Sequence, residues 1–217
     1  MPDNAVDLVS KVHLIVALFG YLIGSIPFGL VLTRLVGLGD IRNIGSGNVG
    51  TTNVLRTGNK PLALLTLLLD AGKGGIAALI SYHLYPGGPN GFDFAIVAGL
   101  AAVIGHNFPV WLKFKGGKGV ATTLGTLLAI SWQIGLATCV TWVVIAALFR
   151  YSSLAALVAL AAAPLYAGLM GFEKVTVSAA LLAILAFVRH HENIRRLLKG
   201  EESKIGQKKV NKIKAFH

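Results

Sequence analysis

The chain has 217 residues, 54% of them hydrophobic and only 13% charged, with a mean hydropathy of +0.70. Charge collects in a few stretches between apolar runs close to the ~20 residues that cross a bilayer, which excludes a soluble globular domain and predicts an all-α polytopic membrane protein. The net charge of +11 is accounted for by topology and by anionic headgroups, and without interleaved aromatic residues it predicts no nucleic-acid partner.

The first span is expected at residues 14–34, "LIVALFGYLIGSIPFGLVLTR", and no small-residue cleavage site follows it, so it reads as a retained helix. A polar loop at 35–61 leads to spans at 62–84 and 93–112, separated by the turn "PGGPNG" at Pro86–Gly91. The short loop 113–119 comes next. Spans then fall at 120–131, 133–149, 153–170 and 174–190, and a basic segment at 189–206 follows. This makes seven spans, or six if the short run 120–131 and the run after Ser131-Trp132-Gln133 form one bent span. Of 20 Lys and Arg residues, all but Lys11, Lys73 and Lys174 lie between Arg34 and Lys60, between Lys113 and Lys118, at Arg150, or from Arg189 onward. Seven spans put all these regions on one side, and the positive-inside rule makes that side the cytoplasm, with the N-terminus outside.

The cytoplasmic loops carry the chemistry. In "RNIGSGNVGTTNVLR", residues 42–56, Gly45, Gly47 and Gly50 match G-x-G-x-x-G, but a membrane span precedes them where a dinucleotide fold needs a strand. What survives is the physics of a glycine nest. Backbone N–H groups there can converge on a phosphate, with Ser46, Asn48, Thr51, Thr52 and Asn53 as further donors and Arg42 and Arg56 as charges. A Cβ on Gly47 is expected to block such a nest.

The second loop lies within "GHNFPVWLKFKGGKGVATT", residues 105–123, where Lys118 and three glycines open a helix whose N-terminus attracts anions. Gly119 follows Lys118 where a Walker motif needs Ser or Thr, so no nucleotide is predicted. In the third, "RHHENIRRLLKGEESKIG" at 189–206, His190 and Asn193 share a helix face. Arg195 stands where a metalloprotease pattern would need a second His, and Cys139 has no partner, so neither a metal nor another cofactor is expected. Within a span, Asp70 and Lys73 form an i, i+3 pair of opposite charge that neutralises itself.

These segments, with "GSIPFG" at 24–29 and "LLDAGKG" at 68–74, resemble the acyl-phosphate-dependent glycerol-3-phosphate acyltransferases of bacterial inner membranes, the PlsY family, over nearly the whole chain. The resemblance implies transfer of an acyl chain from acyl phosphate to the 1-hydroxyl of sn-glycerol 3-phosphate, giving lysophosphatidic acid and phosphate. It implies an inner-membrane site facing the cytoplasm, membrane lipid as surroundings, and the enzyme that makes acyl phosphate as a partner. On matching positions, Ser46, Gly47, Asn48, Thr52 and Asn53 would hold the acyl phosphate, and Arg56 and Lys118 the glycerol phosphate. Ser153, His190 and Asn193 would line the reacting carbonyl. His191 departs from the family's H-R-x-N-I pattern.

No His has an Asp five residues on, so a conventional acyltransferase dyad is absent. Positioning of two anions and stabilisation of the oxyanion then carry the rate, and the donor role is expected for His190. An organic-phosphate or anion transporter is the alternative, resting on a faint similarity between "DAGKGGIAALIS" and "GGKGVATTLGTLLAIS".

Overall fold

The computed structural model describes residues 3–84 and 91–206, and every regular element among them is helical. The helices are α1 (Asp3–Gly24), α2 (Phe28–Leu35), α3 (Thr51–Leu55), α4 (Lys60–His83), α5 (Gly91–Asn107), α6 (Val120–Ile130), α7 (Trp132–Phe149), α8 (Ser152–Leu169), α9 (Glu173–Arg189) and α10 (His191–Leu198). Short 3-10 turns at Ile41–Asn43 and Val110–Leu112 interrupt the loops after α2 and α5. Apart from Gly91, the expected turn at 86–91 lies outside the described residues.

Five segments are long and apolar enough to cross a membrane: Val9–Leu35, Lys60–His83, Gly91–Leu112, Trp132–Phe149 and Ser152–Leu169. The α9–α10 pair, bent by 64°, makes a sixth if counted as one span. At 11 residues, or about 16 Å, α6 is too short to span the ~30 Å hydrocarbon core alone. It does not continue into α7 as one bent rod. Ser131 is extended between them, and a Cβ on Gly135 would run into the backbone of Leu127 and Leu128, so the two helices lie side by side.

The expected first span is broken rather than continuous. Pro27 cannot donate to Ile23, so α1 stops at Gly24 and α2 restarts at Phe28, leaving the Ile26 carbonyl with a tight-turn bond from Phe28 N–H at 3.1 Å but no i+4 helical partner. The buried Lys73 of α4 supplies that partner, donating to Ile26 O at 2.8 Å while its ammonium sits 3.0 Å from Asp70. His106 at the end of α5 completes the cluster, 3.7 Å from the same Asp70 oxygen. A charge pair that looked self-contained in the sequence therefore repairs a break in a neighbouring helix.

Small residues bring the helices close. Gly20 and Gly24 of α1 lie against the backbone of Ala98 and Ala102 in α5, and Gly125 of α6 against Ala71 in α4. The core follows suit: Ala77, Ala98, Ala102, Ala155, Ala159 and Ala167 are wholly buried. Large apolar side chains such as Leu14, Leu68, Val143 and Leu165 point outward instead, as expected of a bundle held by close backbone packing in lipid.

Candidate active site

The first loop is shaped from within. Gly45 (φ 60°) and Gly47 (φ 70°) adopt left-handed backbone, reversing the chain so that it folds over Asn53. Asn53 is 2% exposed, and its amide nitrogen donates to the carbonyls of Ile41, Ile44 and Asn48 at 2.8–2.9 Å while its oxygen accepts from Ser46 N–H at 3.1 Å. The amide thus braces the loop. Arg42, expected to offer charge, is engaged by Asp40 through its backbone N–H and through its guanidinium at 2.6 and 2.9 Å. Those bonds to Arg42, with help from Arg34, hold the Asp40 carboxyl well below the usual carboxylate range. What remains available is the Asn48 side-chain oxygen and the Thr51 hydroxyl, buried without a hydrogen-bond partner, and the first N–H groups of α3.

The space around the glycines differs from expectation. A Cβ on Gly47 would meet only Arg42 O, at 3.4 Å, whereas one on Gly45 would lie 2.5 Å from Asn53 Oδ1 and 2.8 Å from the Arg56 side chain. Gly45 is the position where a side chain has no room. Arg56 runs past it and reaches Ser203 Oγ at 2.6 Å.

In the second loop, Lys113 (φ 52°) and Phe114 (φ 63°) are consecutive left-handed residues that turn the chain back onto α5. Gly116 N–H then bonds Asn107 O at 3.2 Å and Gly117 N–H bonds His106 O at 3.0 Å. These two amides face the protein and are not free to cradle an anion. The nest begins one residue later, at Lys118, Gly119 (φ 80°) and the unpaired N–H groups that open α6.

The third motif closes the site. α9 ends at Arg189 and the chain bends into α10, which buries Asn193 and turns His191 outward. Lys118 donates to Asn193 Oδ1. Asn193 in turn donates to Glu202 Oε1 at 2.6 Å, an oxygen that also accepts from Ser153 at 2.8 Å, while Arg196 donates to Glu202 Oε2 at 2.6 Å. At the α8 start, Ser152 Oγ is 3.1 Å from Thr52 Oγ1 of the first motif. Burial, helped by the charge on Arg196, lowers the Lys118 ammonium to about 8.

His190 is 3% exposed, and its Nδ1 is 2.7 Å from Ala186 O. A carbonyl only accepts, so Nδ1 carries the proton and Nε2 is left as an acceptor. In this tautomer Nε2 has no proton to give, which does not fit the donor role expected for His190. Burial, with the nearby charges of Lys118 and Arg189, pushes its pKa down to about 4, so the ring is neutral near pH 7.

Of the residues singled out in the sequence, Thr52, Arg56, Lys118, Ser153, His190 and Asn193 converge across the three motifs, with Ser46, Gly47 and Asn48 in the first loop beside Asn53. Glu202, which joins Ser153, Asn193 and Arg196, was missed. Its one signal was an acidic residue inside a strongly basic segment. Among the described residues no group of three His, Cys, Asp or Glu side chains is placed to hold a metal ion.

The family model for glycerol-3-phosphate acyltransferase matches residues 14–200. A glycerol-3-phosphate acyltransferase of Rhodospirillum rubrum is 65% identical over 96% of this chain and 98% of its own. One from Paramagnetospirillum magneticum is 62% identical over 88% and 92%. Among solved structures, PlsY, an integral membrane glycerol 3-phosphate acyltransferase, in its glycerol 3-phosphate form superposes with a TM-score of 0.82 at 43% identity, covering 89% of this chain and 96% of that one. The same enzyme in its lysophosphatidic acid form gives 0.80 at 41% identity, covering 88% and 94%. The chain belongs to the glycerol-3-phosphate acyltransferase family.

Proposed function

We propose that this chain moves an acyl group from acyl phosphate to the 1-hydroxyl of sn-glycerol 3-phosphate, forming lysophosphatidic acid and inorganic phosphate. The observation that carries this reading is the single network Lys118–Asn193–Glu202–Ser153, which gathers two motifs and the start of α8 around a half-buried ammonium beside a neutral imidazole. Lys118 and Arg56 hold the glycerol phosphate dianion. The loop from Ser46 to Thr52, braced by Asn53, holds the acyl phosphate through the Thr51 and Thr52 hydroxyls, the Asn48 amide and the first N–H groups of α3, with Ser46 and Gly47 shaping the turn.

Acyl phosphate is a mixed anhydride and needs no cofactor for activation. The hydroxyl oxygen attacks the acyl carbonyl, the bond from the carbonyl carbon to the phosphate oxygen breaks, and the departing phosphate takes the hydroxyl proton. His190 Nε2 accepts a hydrogen bond from that hydroxyl and aims it. A ring with a pKa near 4 is too weak a base to keep the proton near neutral pH. Each donor aimed at the developing oxyanion contributes roughly 3 kcal/mol.

The same reading sets the bundle in a bacterial inner membrane, N-terminus outside and the short α6 entering from the cytoplasmic side and returning through α7, with the site open to the cytoplasm where the enzyme that makes acyl phosphate can deliver it. Reporters fused after Lys60 and Lys118 read cytoplasmic and one at Gly171 external. The function itself is tested by supplying purified protein with a long-chain acyl phosphate and glycerol 3-phosphate. Phosphate release that depends on glycerol 3-phosphate, matched by lysophosphatidic acid, is expected. Equal turnover with acyl-CoA would overturn the donor assignment.

A further inference from the structure

The dipeptide Gly116–Gly117 has all four of its backbone polar groups bonded from two sides. Its N–H groups go to Asn107 and His106 of α5. Its carbonyls accept from Arg189: Nε reaches Gly117 O at 3.2 Å, and Nη2 reaches Gly117 O at 3.0 Å and Gly116 O at 3.2 Å. The guanidinium carbon also lies 5.0 Å from the centre of the Phe108 ring, so the fork is stacked as well as bonded. Beneath it there is no slack, because a Cβ on Gly117 would strike the His106 imidazole. Gly117 immediately precedes Lys118, and Arg189 immediately precedes His190. One side chain therefore ties together the two chain segments that present the ammonium and the imidazole.

We propose that Arg189 is a positioning residue for glycerol 3-phosphate: by clamping the Gly116 and Gly117 carbonyls it sets where Lys118 stands relative to His190 and Asn193. The inference rests on the reading that Lys118 holds that substrate. A planar fork with several N–H groups can bridge carbonyls one residue apart, whereas the single ammonium of a lysine keeps the charge but serves such a pair poorly. Without the clamp, the loop keeps its α5 bonds but Lys118 loses its fixed starting point.

The test is a double-mutant cycle in purified enzyme, with KM measured separately for glycerol 3-phosphate and for a long-chain acyl phosphate. Arg189→Lys is expected to raise KM for glycerol 3-phosphate at least tenfold and leave that for acyl phosphate within twofold. In a Lys118→Ala background the same change is expected to add less than twofold, because the group it positions is gone. Arg189→Gln, able to donate to one carbonyl, provides a second variant and is expected to show the same selectivity. A general fold defect would instead move both constants together and multiply with Lys118→Ala. That result, or an unchanged constant in Arg189→Lys, would overturn the proposal. An unchanged glycerol 3-phosphate constant in Lys118→Ala alone would overturn the site assignment beneath it.

Discussion

The Lys118 ammonium donates to the side-chain oxygen of Asn193 across 75 residues of sequence, and so joins the start of α6 to the bend after α9. Its pKa of about 8, lowered first by burial and then by Arg196, leaves it charged at neutral pH but within reach of titration. A group with a lowered folded pKa of this kind is cationic below that value and neutral above it. The KM for glycerol 3-phosphate is therefore expected to be flat around neutrality and to climb toward tenfold per unit above about pH 8. Because the phosphate is already a dianion there, the limb belongs to the enzyme. Lys118→Arg, which stays protonated, should remove it; a limb at the same pH in that variant would assign it to another group.

Glu202 is expected to act through stability as well as rate. Burial raises its pKa, but hydrogen bonds from Arg196, Asn193 and Ser153 outweigh that and lower it. A lowered carboxyl pKa contributes stability that is present above the ordinary carboxylate value of about 4.3 and is lost as pH falls below it. Glu202→Gln removes one charge-assisted bond, a loss of roughly 1.5–3 kcal/mol. Thermal unfolding in detergent should show that deficit near neutral pH, shrinking as the sample is acidified. A deficit independent of pH would mean that the carboxylate charge is not what stabilises the site.

Gly45 and Gly47 separate backbone strain from lost space. Both are left-handed, so an added Cβ costs roughly 1–2 kcal/mol at either. Only at Gly45 does it also collide with Asn53 and Arg56. Gly45→Ala should therefore impair both substrates severely, the acyl donor through the loop and glycerol phosphate through Arg56, while Gly47→Ala keeps measurable turnover. The reverse order in steady-state kinetics would show that the open side of Gly47 is where the phosphate sits.

What was legible in the sequence was whatever depends on residue type and local spacing. The apolar runs placed α4 and α6 to α9 to within a few residues but ran α1 and α2 together as one span, and the glycines and basic residues marked the three loops. Side-chain direction was not legible. Asn53 and Ser46 have similar polar character, yet one amide folds inward to brace the loop. Lys73 looked paired with Asp70 alone because the carbonyl it serves, on Ile26, lies 47 residues away. The break at Pro27 had its signal in view, as did the Asp40–Arg42 spacing that takes Arg42 out of the site. Glu202 and Arg189 act only through partners brought together by the bundle, which no local pattern records.

His190 distinguishes orientation from proton transfer. With Nδ1 donating to Ala186 and a pKa near 4, the ring offers Nε2 as an acceptor throughout the neutral range. His190→Gln places an amide oxygen that can accept from the same hydroxyl, so it should keep activity within about tenfold of the parent. His190→Ala should lose roughly 10²-fold or more, the low end of what a positioned acid–base group contributes. Any fall in rate between about pH 7 and 5 then reflects protonation of the substrate phosphate, whose second pKa is about 6, and should persist in both variants. If the histidine were the base, His190→Gln would be as inactive as His190→Ala and the acidic limb would vanish from the residual rate. That pair of results would reassign the proton from the departing phosphate to Nε2.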